Sequence, residues 1–215
     1  MNEEQGLWGF MLEQREKLAE QTLTHIGLTF ISLLIAILIG IPLGILISRK
    51  LKIAGSILAI AGILQTIPSI ALLGVMIPFL GIGPKPAIVA LFLYALLPII
   101  RNTYTGIREV NSSVTDAAKG MGMSNFQVLI KVELPLAMPV MLAGIRTATV
   151  INVGVATLAA YIAAGGLGEF IFGGIALNNA NMILAGAIPA ALLAILFDFL
   201  LSRLQKLNFK ILKTA

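Results

Sequence analysis

Few residues in this chain have side chains capable of chemistry, and they do not converge. His25 is the single histidine and has no carboxylate or second histidine at ligand spacing. With no cysteine in the 215 residues, thiolate nucleophiles, thiolate metal sites and disulfides are excluded. His25 therefore reads as an interfacial residue. Arg146 and Asp198 each stand inside an apolar run, where a charge is costly and marks either function or an internal partner. Asp198 is the nearest opposite charge on another run, so an Arg146–Asp198 pair is one solution and helix-end carbonyls are another. Repulsion of a cationic solute by Arg146 is a third, sharper role. An enzyme within the apolar mass would need a nucleophile with a base, paired carboxylates or a metal triad, and none is spaced to form. No ring-forming carboxylate or filter-like stretch suggests a passive channel.

Polar groups at Gln65, Thr66 and Ser69 surround Pro68, where a helix loses a backbone bond and kinks. Tyr94 and Asn152 are similarly placed within apolar runs. Two roles fit these five: lining a polar path, or hydrogen-bonding helices together.

The elements that must position these residues are set by composition. Apolar residues make up 58% and charged residues 12%, against about 45–50% and about 25% in soluble domains. The chain reads as an all-α membrane protein with runs of about 24–48, 53–77, 86–106, 136–164 and 182–202. Eleven Lys and Arg fall in alternate connections (Arg49, Lys50, Lys52; Arg101, Arg108, Lys119, Lys131; Arg203, Lys206, Lys210, Lys213). Three lie on the other side (Arg15, Lys17, Lys85), and Arg146 completes the fifteen. That asymmetry places the N-terminus outside and the C-terminus in the cytoplasm, which demands an odd number of spans, and five fits. The net charge of +5 is thus a record of orientation, with no nucleic acid implied. Residues 1–21 read as an outer-surface amphipathic leader, residues 22–205 as one transmembrane domain and residues 206–215 as a cytoplasmic tail. The acidic start (Glu3, Glu4, Glu13) is the reverse of a signal peptide.

The cytoplasmic loop 108–135 carries helical punctuation. Ser113-Val-Thr-Asp116 matches a capping box, and Val114, Ala117, Ala118 and Met121 form one apolar stripe. Gly122 ends that helix; Ser124-Asn-Phe-Gln127 caps a second, which Pro135 limits. A rigid capped knob of this kind suits mechanical coupling, while an interfacial helix lying on lipid is the plainer reading.

Asp116-Ala117-Ala118, three residues, Gly122, nine residues, then Val132-Glu133-Leu134-Pro135 resembles the cytoplasmic signature of binding-protein-dependent ABC importer permeases, Glu-Ala-Ala, x3, Gly, x9, Ile-x-Leu-Pro. Asp116 replaces Glu and Val132 replaces Ile. Gln65-Thr-Ile-Pro-Ser69 with Ala71-Leu-Leu-Gly74, Tyr94-Ala-Leu-Leu-Pro98 with Arg101-Asn-Thr-Tyr-Thr-Gly106, and Gly165-Gly-Leu-Gly168 are similar to permeases for glycine betaine, carnitine, choline or proline. The resemblance implies the type I importer permease fold in the cell membrane. It also implies a second permease chain, identical or paralogous, an ABC ATPase dimer beneath and an extracytoplasmic substrate-binding protein above. Asp116, Ala117, Ala118, Gly122, Val132, Leu134 and Pro135 would couple to the ATPase. The chain has no Gly-x4-Gly-Lys-Ser/Thr phosphate loop, so ATP hydrolysis is expected on a partner and no cofactor here. A related importer for another small solute, such as an amino acid, is the alternative.

Overall fold

In the computed structural model, residues 6–214 are described, with side chains described for residues 6–206. Residues 1–5 and the side chains of the tail lie outside that range. The described residues are helical: α1 (Leu7–Glu13), α2 (Arg15–Arg49), α3 (Leu51–Thr66), α4 (Ser69–Leu80), α5 (Pro84–Arg108), α6 (Ser112–Gly120), α7 (Asn125–Val128), a π-turn (Leu129–Glu133), α8 (Leu134–Ala156), a 3-10 turn (Thr157–Ile162), α9 (Gly168–Ala176) and α10 (Ala180–Thr214).

Close packing fixes the directions of the long helices. A Cβ at Gly40 on α2 would meet Ile99, and one at Gly44 would meet Thr103, so α2 and α5 touch along small residues and run parallel. Gly106 faces Ala137 and Val140, while Gly144 faces Asn102 and Pro98, so α8 returns antiparallel to α5. Contacts of Arg146 with Asp198 and of Pro139 with Gln205 make α10 antiparallel to α8. Because α2 and α5 are parallel, the segment between them must carry the chain back across the membrane.

That return segment is broken. The expected continuous run 53–77 is two helices, α3 and α4, bent by 98°. Pro68 supplies no amide hydrogen and pushes Ile67 out of the helical region, to φ −66°, ψ 127°. Four other helical runs are each long and apolar enough to cross by themselves, and the bent pair makes the fifth crossing.

Three further boundaries differ from expectation. The leader does not form one surface helix to residue 21: α1 ends at Glu13, and α2 begins at Arg15 and runs straight into the first span. Ser113 is not the N-cap of α6; Asn111 is, its side chain accepting from the Ser113 amide at 2.9 Å. Pro135 does not end the second loop helix. The π-turn carries the chain past it, the Leu134 amide donating to the Leu129 carbonyl five residues back, so helix continues from Asn125 to Ile162.

Candidate functional site

The cytoplasmic knob is built by local rules. The helix α6 ends in a Schellman pair, Met123 N–H to the Ala118 carbonyl at 3.2 Å and Gly122 N–H to the Lys119 carbonyl at 2.9 Å. That ending needs the left-handed backbone at Gly122, φ 84°. Ser124 and Gln127 form the reciprocal capping box in full. The motif residues then divide by direction. Ala118 is buried, and Leu134 packs against the cluster of Ile107, Ala137 and Met141. Val132 and Pro135 are half-buried. Asp116, Ala117 and Gly122 are exposed, beside apolar groups that nothing among the described residues covers: Val114, Met121 (73% exposed) and Phe126 (70%). The expected four-residue stripe is thus split, with Ala118 turned inward and the rest outward.

One contact in this region has no local signature in the sequence. Arg49, at the end of α2, donates from both terminal nitrogens to the buried carboxylate of Glu133 in the π-turn. Arg49 appeared as a topology charge and Glu133 as a variable position within the Val-x-Leu-Pro string. Only the fold makes partners of these residues 84 positions apart.

At the break in the second span, Gln65 donates to the Tyr94 carbonyl at 3.1 Å, and the Tyr94 hydroxyl donates to the Ile67 carbonyl. Ser69 lies beside that hydroxyl, and Thr66 bonds back to the Ile63 carbonyl at 2.7 Å with its side chain exposed. Asn152 lies fully buried between α8 and α2 and donates to Ser32 at 3.1 Å. Of the five polar candidates, Gln65, Ser69 and Tyr94 come together, whereas Thr66 and Asn152 stand apart.

His25 is not an exposed side chain at the start of the first span. It is fully buried, and its Nε2 donates to the Val153 carbonyl at 3.0 Å. Beside it the outer turn Gly165–Gly168 is tied to α2 by Gln21, which accepts from the Gly166 amide at 2.6 Å. Lys17 approaches Glu169 at 3.8 Å, an exposed contact worth little.

Arg146 and Asp198 face each other with a two-bond geometry, Nε to Oδ1 at 2.5 Å and Nη2 to Oδ2 at 2.7 Å. Both side chains remain about a third exposed in a groove between α8 and α10. Pairing is what an apolar surrounding demands of such charges.

Comparison with known proteins places this geometry. The family described as binding-protein-dependent transport system inner membrane component matches residues 36–210. The carnitine transport permease protein OpuCB of Listeria monocytogenes is 44% identical over 196 residues, covering 91% of this chain and 90% of the relative. The choline transport system permease protein OpuBB of Bacillus subtilis is 47% identical over 193 residues, 90% and 89% of the two chains. The osmoprotectant import permease protein OsmW of Salmonella typhimurium is 47% identical over 201 residues, 91% and 94%. Among solved structures, an inward-facing MetNI methionine ABC transporter matches with a TM-score of 0.83 at 26% identity, over 91% of this chain and 98% of that one.

Proposed function

The chain belongs to the family of binding-protein-dependent transport system inner membrane components, and from that premise we propose that it is the permease subunit of an ATP-driven importer for osmoprotectants such as glycine betaine, carnitine or choline. The observation that carries the solute class is 44–47% identity over nine-tenths of the chain to permeases named for carnitine, choline and osmoprotectants. ATP hydrolysis belongs to a separate ABC ATPase dimer, solute capture to an extracytoplasmic binding protein, and the path to this chain with a second permease, identical or paralogous.

The knob is the coupling element in this reading. Its outward residues, Asp116, Ala117 and Gly122 with Val114, Met121 and Phe126, dock the ATPase. Its inward residues, Ala118, Val132, Leu134 and Pro135, transmit displacement. Two features make transmission rigid. The Arg49–Glu133 pair fixes the base of the knob to α2. The helical run Asn125–Ile162, 38 residues, extends about 57 Å at 1.5 Å per residue from the knob to the outer turn. A push on the cytoplasmic side is therefore delivered to the region where His25 and Gln21 hold that turn, as alternating access requires. Gln65, Ser69, Tyr94 and Asn152 keep the spans in register around the path, and Thr66, exposed and bonded within its own helix, is the member left to line it.

Proteoliposomes holding this chain, its ATPase and its binding protein test the reading. ATP-dependent uptake of labelled carnitine, choline, glycine betaine or proline is expected only with all components present. Uptake without the ATPase would indicate a channel, and uptake of an amino acid in place of these solutes would favour the second reading, an importer related to the methionine transporter.

A further inference from the structure

The groove beside Arg146 is the least explained place in the molecule. It holds about 400 Å³ between α8 and α10, and Thr147, Val150 and Gln205 line it together with the ion pair. It continues into a hollow of about 470 Å³ bordered by Ser202 and Lys206, toward the cytoplasmic end. At the share of liquid volume one water takes, the first part alone has room for about a dozen waters. Gln205 donates to the Pro139 carbonyl at 2.9 Å and bridges the two helices within this region.

Hydrocarbon is a poor occupant. Arg146 and Asp198 keep 36% and 37% of their side-chain surface accessible, and hydroxyl, amide and ammonium groups follow on the same side. Groups of that kind in a membrane face a water-filled cavity or the interior of an assembly. The pair presents a fixed positive and a fixed negative head to one open space. That arrangement complements a solute carrying a carboxylate at one end and a cationic nitrogen at the other.

We propose that this groove is the chain's share of the cytoplasm-facing half of the solute path, and that Arg146 and Asp198 form a transit site for zwitterions. The guanidinium receives the carboxylate and Asp198 the cationic end. Each then exchanges its partner in the resting pair for one end of the solute. Because the intact pair competes with the solute, the site is weak, as a release site must be for the solute to leave. The solute class rests on the function proposed above; the wetness of the groove does not.

The absence of cysteine makes the test direct. In the assembled transporter in inside-out vesicles, Thr147→Cys is expected to react with a membrane-impermeant, cationic thiol reagent at least tenfold faster than Leu38→Cys, whose exposed side chain lies on α2. Carnitine is expected to slow the Thr147→Cys reaction. Arg146→Gln should reduce carnitine uptake several-fold more than choline uptake, since choline has no carboxylate, and Arg146→Lys should restore part of the difference. A Thr147→Cys as inert as Leu38→Cys would overturn the path assignment by placing the groove against lipid or a partner. Equal loss of both solutes in Arg146→Gln would overturn the transit site. If the unmodified complex carries neither solute, the osmoprotectant reading fails, while the labelling rates still decide whether the groove is wet.

Discussion

Gln65 and Tyr94 together repair two backbone bonds lost at prolines, one at the Tyr94 carbonyl and one at the Ile67 carbonyl. The Tyr94 carbonyl would ordinarily accept from the amide four residues on, but that residue is Pro98, and Gln65 Nε2 fills the place at 3.1 Å. In return the Tyr94 hydroxyl reaches the Ile67 carbonyl, set free where Pro68 breaks the second span. Two prolines on adjacent elements thus create two orphan acceptors, and two side chains satisfy them crosswise.

Tyr94→Phe should therefore lower stability by about 1 kcal/mol, the cost of a lost hydrogen bond to a partly buried carbonyl. Gln65→Leu should cost a similar amount. A double-mutant cycle on thermal unfolding of the purified complex should show coupling between them, because both bonds hold one break. Strictly additive losses would mean that the two halves act independently.

Arg49→Gln leaves the Glu133 carboxylate, 8% exposed, without its counter-charge. The loss should fall below the roughly 3–5 kcal/mol of a fully buried pair, because Arg49 itself is 44% exposed. Uptake should fall further than ATPase activity, since the base of the knob is loosened. Exchanging the two charges, Arg49→Glu with Glu133→Arg, should recover part of both; no recovery would exclude the pair as the fastening.

A Cβ at Gly122 meets no atom within 4 Å, so the main cost of Gly122→Val is the left-handed backbone at φ 84°, on the order of 1–2 kcal/mol. The chain should still insert and assemble, with solute moved per ATP hydrolysed reduced in vesicles. Unaltered uptake would remove Gly122 from the coupling element.

Gly168→Ala is expected to be far more damaging. Its Cβ would lie 1.8 Å from the Thr157 carbonyl oxygen, and backbone cannot move aside as a side chain does. The neighbouring 3-10 turn is already held by a replacement bond: the Thr157 amide turns to Gly154, and His25 takes the Val153 carbonyl in its stead. Gly154→Ala, with open space at its Cβ, is the matched control. Yield of monodisperse complex after detergent extraction should collapse for Gly168→Ala and hold for Gly154→Ala.

Much of this molecule was legible without coordinates because bilayers impose simple one-dimensional rules. Apolar runs of about 20 residues, basic residues in alternate connections, and cap chemistry at Ser124, Gln127 and Gly122 are all local quantities. The isolation of Arg146 and Asp198 from every other intramembrane charge also made their pairing one of the few solutions open to them. What the sequence could not reveal was where polar side chains meet backbone orphaned elsewhere. His25 looked interfacial because its partner is a carbonyl, which every residue possesses and no composition displays. Glu133 looked incidental because its partner, Arg49, lies on a helix brought alongside only by the packing of α2, α5 and α8. Chain-local rules determined the apolar runs, the asymmetry of the basic residues and the caps at Gly122 and Ser124. Tertiary packing decided which face of the knob is left uncovered and which carbonyls need a side chain, because both depend on distances between helices far apart in the chain.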